Sequence, residues 1–167
     1  MKTQRCFAMP PTMLLLLVLL MASFATAEDK KKDSDQSACS NPNPASLCNS
    51  GNTCGSASAP CSVDVKRTSY SSTATPSIPG AKGNSLFCVK TGTTVTWMSS
   101  VKNTGFLIDF GASSPFDPSG TVMGGSEKSV SVVAKTPGCV KYNVSATAQN
   151  ATYGKSKAAQ SELIVIP

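Results

Sequence analysis

The sequence predicts an all-β domain, a two-sheet sandwich of about seven strands. Three observations point there. Beyond residue 61 the apolar residues alternate with polar ones at a period of two, over runs of four to eight residues. Turn residues (Gly, Pro, Asn, Asp) interrupt those runs at short intervals. After residue 27 no stretch of useful length carries the helical period, and the composition is rich in Ser, Thr, Gly, Ala and Val, which suits strands better than helices.

The chain opens on a basic start, Lys2 and Arg5, then an unbroken apolar run from Met13 to Met21, then small residues at Ala25-Thr26-Ala27. That order reads as a secretory signal over residues 1–27. The apolar run is too short to cross a bilayer of about 30 Å as a helix. No later stretch is longer, so no membrane insertion is expected once the signal is removed. The compartment is then outside the cytosol, secreted or periplasmic, where thiols can pair.

Removing 27 of 167 residues leaves 140, enough for one domain with a tail. Fifteen basic and 9 acidic residues become 13 and 9 once Lys2 and Arg5 leave, a net charge of +4. Apart from Lys30-Lys31-Lys32, which acidic neighbours offset, the lysines are scattered and lack interleaved aromatics. No nucleic-acid partner is expected from that distribution.

Residues 28–61 read as a polar leader followed by a Cys-rich irregular segment. Glu28 to Ser37 contain no side chain that gains by burial. Cys39, Cys48, Cys54 and Cys61 follow among Asn, Pro, Ser, Gly and Ala, with Leu47 the one large aliphatic residue. Such a stretch cannot order itself around a core, so covalent links are the expected source of order. The gaps between these cysteines do not match zinc knuckles, which leaves two disulfides among the four, with three pairings open.

Residues 62–167 read as the sandwich. Val63 and Val65 mark a first strand. Ser69 to Gly83 is a connection in which Pro76, Pro79 and Gly80 exclude a regular central strand. Leu86 to Val89 is a strand, and Lys90-Thr91-Gly92 turns into Thr93 to Met98, with Val95 and Trp97 on one face. After the turn Lys102 to Gly105, Phe106, Ile108 and Phe110 share a face. Gly111 to Gly125 reads as a loop. Val130 and Val132 mark the next strand, Pro137-Gly138 a turn, and Val140, Tyr142, Val144 and Ala146 four alternating inward positions. Leu163 to Ile166 is apolar on both faces, which suits the inside of a sheet.

The run from Cys88 to Val144 resembles the cupredoxin family of Greek-key β-sandwiches. The matching pieces are Val89-Lys90-Thr91-Gly92-Thr93-Thr94-Val95-Thr96-Trp97, Phe106-Leu107-Ile108-Asp109-Phe110, and Pro137-Gly138-Cys139-Val140-Lys141-Tyr142. The resemblance implies a Greek-key frame, and it would place a first copper-ligand histidine at Phe106 and the ligand cysteine at Val144. The chain has no histidine at all. A type-1 copper centre needs two imidazoles and a thiolate, so the resemblance carries the frame without the metal, and no cofactor is expected. The competing expectation is a copper-binding or electron-transfer protein of the same family, for which Met98 and Met123, the two methionines of the mature part, could supply soft ligands to Cu(I).

Cys88 and Cys139 fall on the opposite parity from Phe87/Val89 and Val140/Tyr142. An even cysteine count in an exported chain predicts that these two form a bridge, closing about fifty residues for roughly 4 kcal/mol. Histidine-dependent catalysis is excluded by composition. Ser99-Ser100-Val101-Lys102 matches a bare Ser-x-x-Lys pattern but lies between a strand and a turn, without companion motifs. The carboxylates Asp64, Asp109, Asp117, Glu127 and Glu162 are dispersed. The expectation is a non-catalytic binding or structural module, with the 111–125 loop facing an unknown protein or small-molecule partner.

Overall fold

The computed structural model describes residues 37–69, 71–148 and 159–167. The expected signal and the leader through residue 36 lie outside the described residues. The described residues form ten strands: β1 (Cys61–Arg67), β2 (Ser72–Pro76), β3 (Phe87–Lys90), β4 (Thr94–Met98), β5 (Thr104–Asp109), β6 (Phe116–Asp117), β7 (Thr121–Gly125), β8 (Val130–Ala134), β9 (Gly138–Ala148) and β10 (Ala159–Ile166). Two five-stranded sheets, β2-β1-β4-β8-β6 and β3-β10-β9-β5-β7, pack face to face. Each sheet is antiparallel except for one parallel pair, β1 with β4 and β3 with β10.

The alternation read in the sequence sets the inner faces. Val63, Val65, Val95, Trp97 and Val132 from one sheet meet Phe87, Val89, Ile108, Tyr142, Val144, Leu163 and Val165 from the other in one core. Burying side chains of this kind contributes about 1.5–3 kcal/mol each. β10 lies between β3 and β9, as its two apolar faces require.

Three strands exceed the expected set. β2 lies within the Ser69–Gly83 connection and is an edge strand, where Pro76 is tolerated because its missing N–H breaks no ladder bond. β6 and β7 lie inside the stretch read as the 111–125 loop, which leaves only 111–115 and 118–120 outside strands. Two glycines are set by close approach. A Cβ on Gly124 of β7 would lie 2.5 Å from the Phe106 ring. A Cβ on Gly55, whose φ is +70°, would lie 2.7 Å from the Cys61 nitrogen.

Residues 37–60 are not a free appendage. Two 3-10 turns, Ala38–Ser40 and Pro44–Leu47, lie against the outer face of the β3-containing sheet. There Ala38, Leu47 and Cys48 pack with Cys88, Ile164, Leu86, Cys139 and Ile166 in a second, smaller apolar cluster. The expectation that this segment has no core to join is corrected: it shares one with the back of the sheet. Glu162 fastens its start, accepting bonds from the Ser37 hydroxyl and from the Ala38 N–H at 2.6 Å, with Lys141 at 3.8 Å.

The cysteine pairing is also corrected. The bridges are Cys39–Cys139, Cys48–Cys88 and Cys54–Cys61. Cys88 and Cys139 do not join, because both are register partners of Ile164 on β10. With a strand between them they stand two strand spacings apart, about 9–10 Å, beyond the reach of a disulfide. Of the four N-terminal cysteines only Cys54 and Cys61 pair with each other. Cys39 and Cys48 tie the outer segment to the sheet.

Candidate functional site

The positions that the family resemblance assigns to metal ligands lie inside the sandwich. Phe106 is on β5 opposite Ala146, and Val144 is on β9 opposite Ile108. Both side chains point inward, because both share the parity of the buried positions of their strands, and both are buried. Phe106 lies over Gly124, whose lack of a side chain makes room for the ring. This region is filled by carbon.

The same core holds an aromatic cluster. Trp97 meets Tyr142 edge-on with ring centroids 5.2 Å apart and Phe110 at 5.7 Å, and Phe110 meets Phe116 at 5.0 Å. Edge-on contacts of this kind suit the aromatic quadrupole. Among the described residues the Trp97 Nε1 and the Thr93 hydroxyl are buried without a hydrogen-bond partner, and the Tyr142 and Ser161 hydroxyls have none beyond each other. Tyr142 and Ser161 are directly opposite on β9 and β10. Burial pushes the phenol far above its ordinary range, and the neighbouring Ser161 hydroxyl offsets only part of that. Tyr142 therefore stays neutral through the physiological range and is no base.

Four of the five dispersed carboxylates hold backbone or neighbours in place. Asp64, on the outer face of β1, accepts from the Ser100 N–H at 2.9 Å and the Ser100 hydroxyl at 2.7 Å, with the Lys66 ammonium 3.1 Å away. Partial burial pushes its carboxyl up, but the bonds from Ser100 and the Lys66 charge outweigh this and hold it below its usual range. Asp109 accepts from the Gly111 N–H at 3.0 Å and braces the turn after β5. Asp117 pairs with exposed Lys135 at 3.9 Å. Glu162 holds the N-terminal segment. Asp64 and Glu162 stand on the outer faces of opposite sheets, so these two form no acid–base pair.

Ser99 of the Ser-x-x-Lys match is buried, and its Oγ accepts from the Val101 N–H at 3.3 Å in a local turn. The residues 99–103 form no helix that would bring Lys102 back over it. Met98 and Met123 are 42% and 68% exposed. They project from the outer faces of different sheets, so they cannot share one ion. Among the described residues no three His, Cys, Asp or Glu side chains gather closely enough to hold a metal.

Glu162 is the residue whose part was not read in the sequence. Its signal there is faint: one acid between Ser161 and Leu163, just ahead of the apolar run that ends the strand. No family model matches the chain, and a search of curated proteins finds no relative.

Proposed function

We propose that the chain is an exported, non-catalytic β-sandwich that serves as a binding or structural module, built on a cupredoxin-like Greek-key frame without type-1 copper. The observation that carries this reading is the apolar filling at Phe106 and Val144, where the family's first histidine and ligand cysteine would stand. The strand order supports the frame. From β2 through β9 every connection crosses from one sheet to the other, and only β1–β2 and β9–β10 are hairpins within a sheet. Three bridges support export, since such links persist outside the reducing cytosol.

The loops 111–115 and 118–120 are the parts offered to a partner, as loops at the end of a sandwich commonly are. Metal analysis of the mature protein after exposure to Cu(II) and to Cu(I) tests the reading. The expected result is far less than one equivalent bound and no thiolate-to-copper absorption. Stoichiometric copper would replace it with the electron-transfer reading. Capture of binding proteins from the exported fraction, compared with a variant carrying Gly-Ser replacements at 112–114, tests the loop assignment.

A further inference from the structure

Four strand edges end the two sheets, and three are closed. On β2 the Ala74 N–H donates to the Asn84 side chain at 2.9 Å and the Ala74 carbonyl accepts from the Asn84 N–H at 2.7 Å. Pro76 has no N–H, and its carbonyl accepts from Ile78. On β3 the Cys88 N–H donates to Asn52 and the Cys88 carbonyl accepts from Cys54, so the N-terminal segment lies along that edge. β6 is two residues long and runs straight into Pro118. Short edges and proline are ordinary guards against pairing.

Among the described residues nothing covers the outer edge of β7 before Gly125. Its residues, Thr121-Val122-Met123-Gly124-Gly125, include no charge and no proline. The phase of its ladder is fixed at both ends: the Phe110 N–H donates to the Gly120 carbonyl at 3.0 Å, and the Ser126 N–H to the Thr104 carbonyl at 2.9 Å. Alternation from those bonds turns the N–H and C=O of Val122 and Gly124 toward β5 and those of Thr121 and Met123 outward. Gly125 is closed by reciprocal bonds with Lys128. Among the described residues the bare edge is therefore Thr121 to Met123, two donors and two acceptors. Beside it, Met123 is the most exposed large apolar residue among those described, next to half-buried Leu107 on β5.

We propose that this edge pairs with the same edge of a second copy, joining two sandwiches through β7. A two-fold axis can pair an edge with itself only in the antiparallel sense. Placed through Val122, it sets Thr121 opposite Met123 of the second copy and Met123 opposite Thr121. All four outward groups of each copy are then used, in four backbone bonds, and none is left over. The short bare length favours this occupant over an extended peptide, whose remaining backbone would find no partner beyond Gly120 or at Gly125. The joined area is smaller than that of a permanent dimer, so the association is weak and depends on concentration. It does not depend on whether the sandwich binds another partner.

Sedimentation equilibrium of the mature protein from about 10 μM to about 1 mM, with hydrogen exchange at both ends of that range, tests the proposal. The expected result is a rise from monomer to dimer, with the Thr121 and Met123 amides protected only at high concentration. Met123→Pro removes an outward N–H that the β5 ladder does not use, and it should weaken association at least about tenfold while the variant stays folded by circular dichroism. Met123→Lys places a charge on the same edge and should act alike, which keeps the test in force if the proline variant does not fold. A monomer throughout the range overturns the proposal. So does a dimer that both variants leave intact while those two amides exchange freely.

Discussion

Replacing Cys39 and Cys139 together by serine measures how much the outer segment owes to its first bridge. Taken alone, that bridge spans 100 residues of sequence, for which chain entropy gives about 4.7 kcal/mol. The Cys48–Cys88 link, which spans 40, shortens the path. Walking from residue 39 to 48, across to 88 and on to 139 gives a loop of about sixty residues, worth about 4.3 kcal/mol. Some loss of packing at Ala38 adds to this. A total of about 5 kcal/mol corresponds to a fall of about 2.5 M in the urea midpoint for a slope near 2 kcal/mol/M. Equilibrium unfolding in urea, monitored by Trp97 fluorescence, gives the midpoint and slope directly. A loss below about 1 kcal/mol would refute the reasoning, because it would mean that the unfolded chain gains little freedom from the cut. Non-reducing peptide mapping of the same variant should return Cys48–Cys88 and Cys54–Cys61 intact.

Tyr142→Phe removes a buried hydroxyl whose one polar neighbour is the Ser161 hydroxyl, so thermal unfolding should change by no more than about 1 kcal/mol. A loss above about 1 kcal/mol would show that the hydroxyl is satisfied. Gly124→Ala drives a methyl group into the Phe106 ring and the Lys128 carbonyl and should cost about 1–3 kcal/mol in urea unfolding. The Asp64 carboxyl is held below its unfolded value of 3.8, so its contribution is present above that pH and is lost as pH falls through the lower folded value. Between pH 5 and pH 2 the melting temperature of Asp64→Asn should therefore fall less steeply than that of the parent, and equal slopes would contradict the Ser100 and Lys66 contacts as its cause.

The inner faces were legible because alternation is a local property. Val95 and Trp97, or Val140, Tyr142, Val144 and Ala146, announce their side of a sheet without reference to any other strand. Even the outward parity of Cys88 and Cys139 was readable that way. Their partners were not, because pairing depends on strand order, and nothing local says that β10 runs between them. β2 and β7 escaped notice for a related reason. Ser72-Thr73-Ala74-Thr75-Pro76 and Thr121 to Gly125 are edges rich in small residues, Gly or Pro, with one buried side chain or a few, and read alone they look like connections. The seating of residues 37–60 was hidden because Leu47 finds its apolar neighbours on the back of a sheet that a two-state inside–outside pattern assigns to water. At the proposed site the absence of imidazole was plain from composition, while the crowding of Phe106 over Gly124 needed the fold.

The sewing of the N-terminal segment to the sheet bears on how the molecule is made. A ribosome releases Cys39, Cys48, Cys54 and Cys61 before either Cys88 or Cys139 exists. Only Cys54 and Cys61, seven residues apart, can reach their final mate at once. Cys39 and Cys48 wait for partners that arrive 100 and 40 residues later, with a thiol neighbour close at hand throughout. Oxidation of Cys39 or Cys48 before its mate is made can only join a wrong sulfur, and undoing such a link takes thiolate exchange on a scale of seconds to hours. A catalyst of disulfide exchange should therefore speed oxidative refolding of this chain more than an oxidant alone.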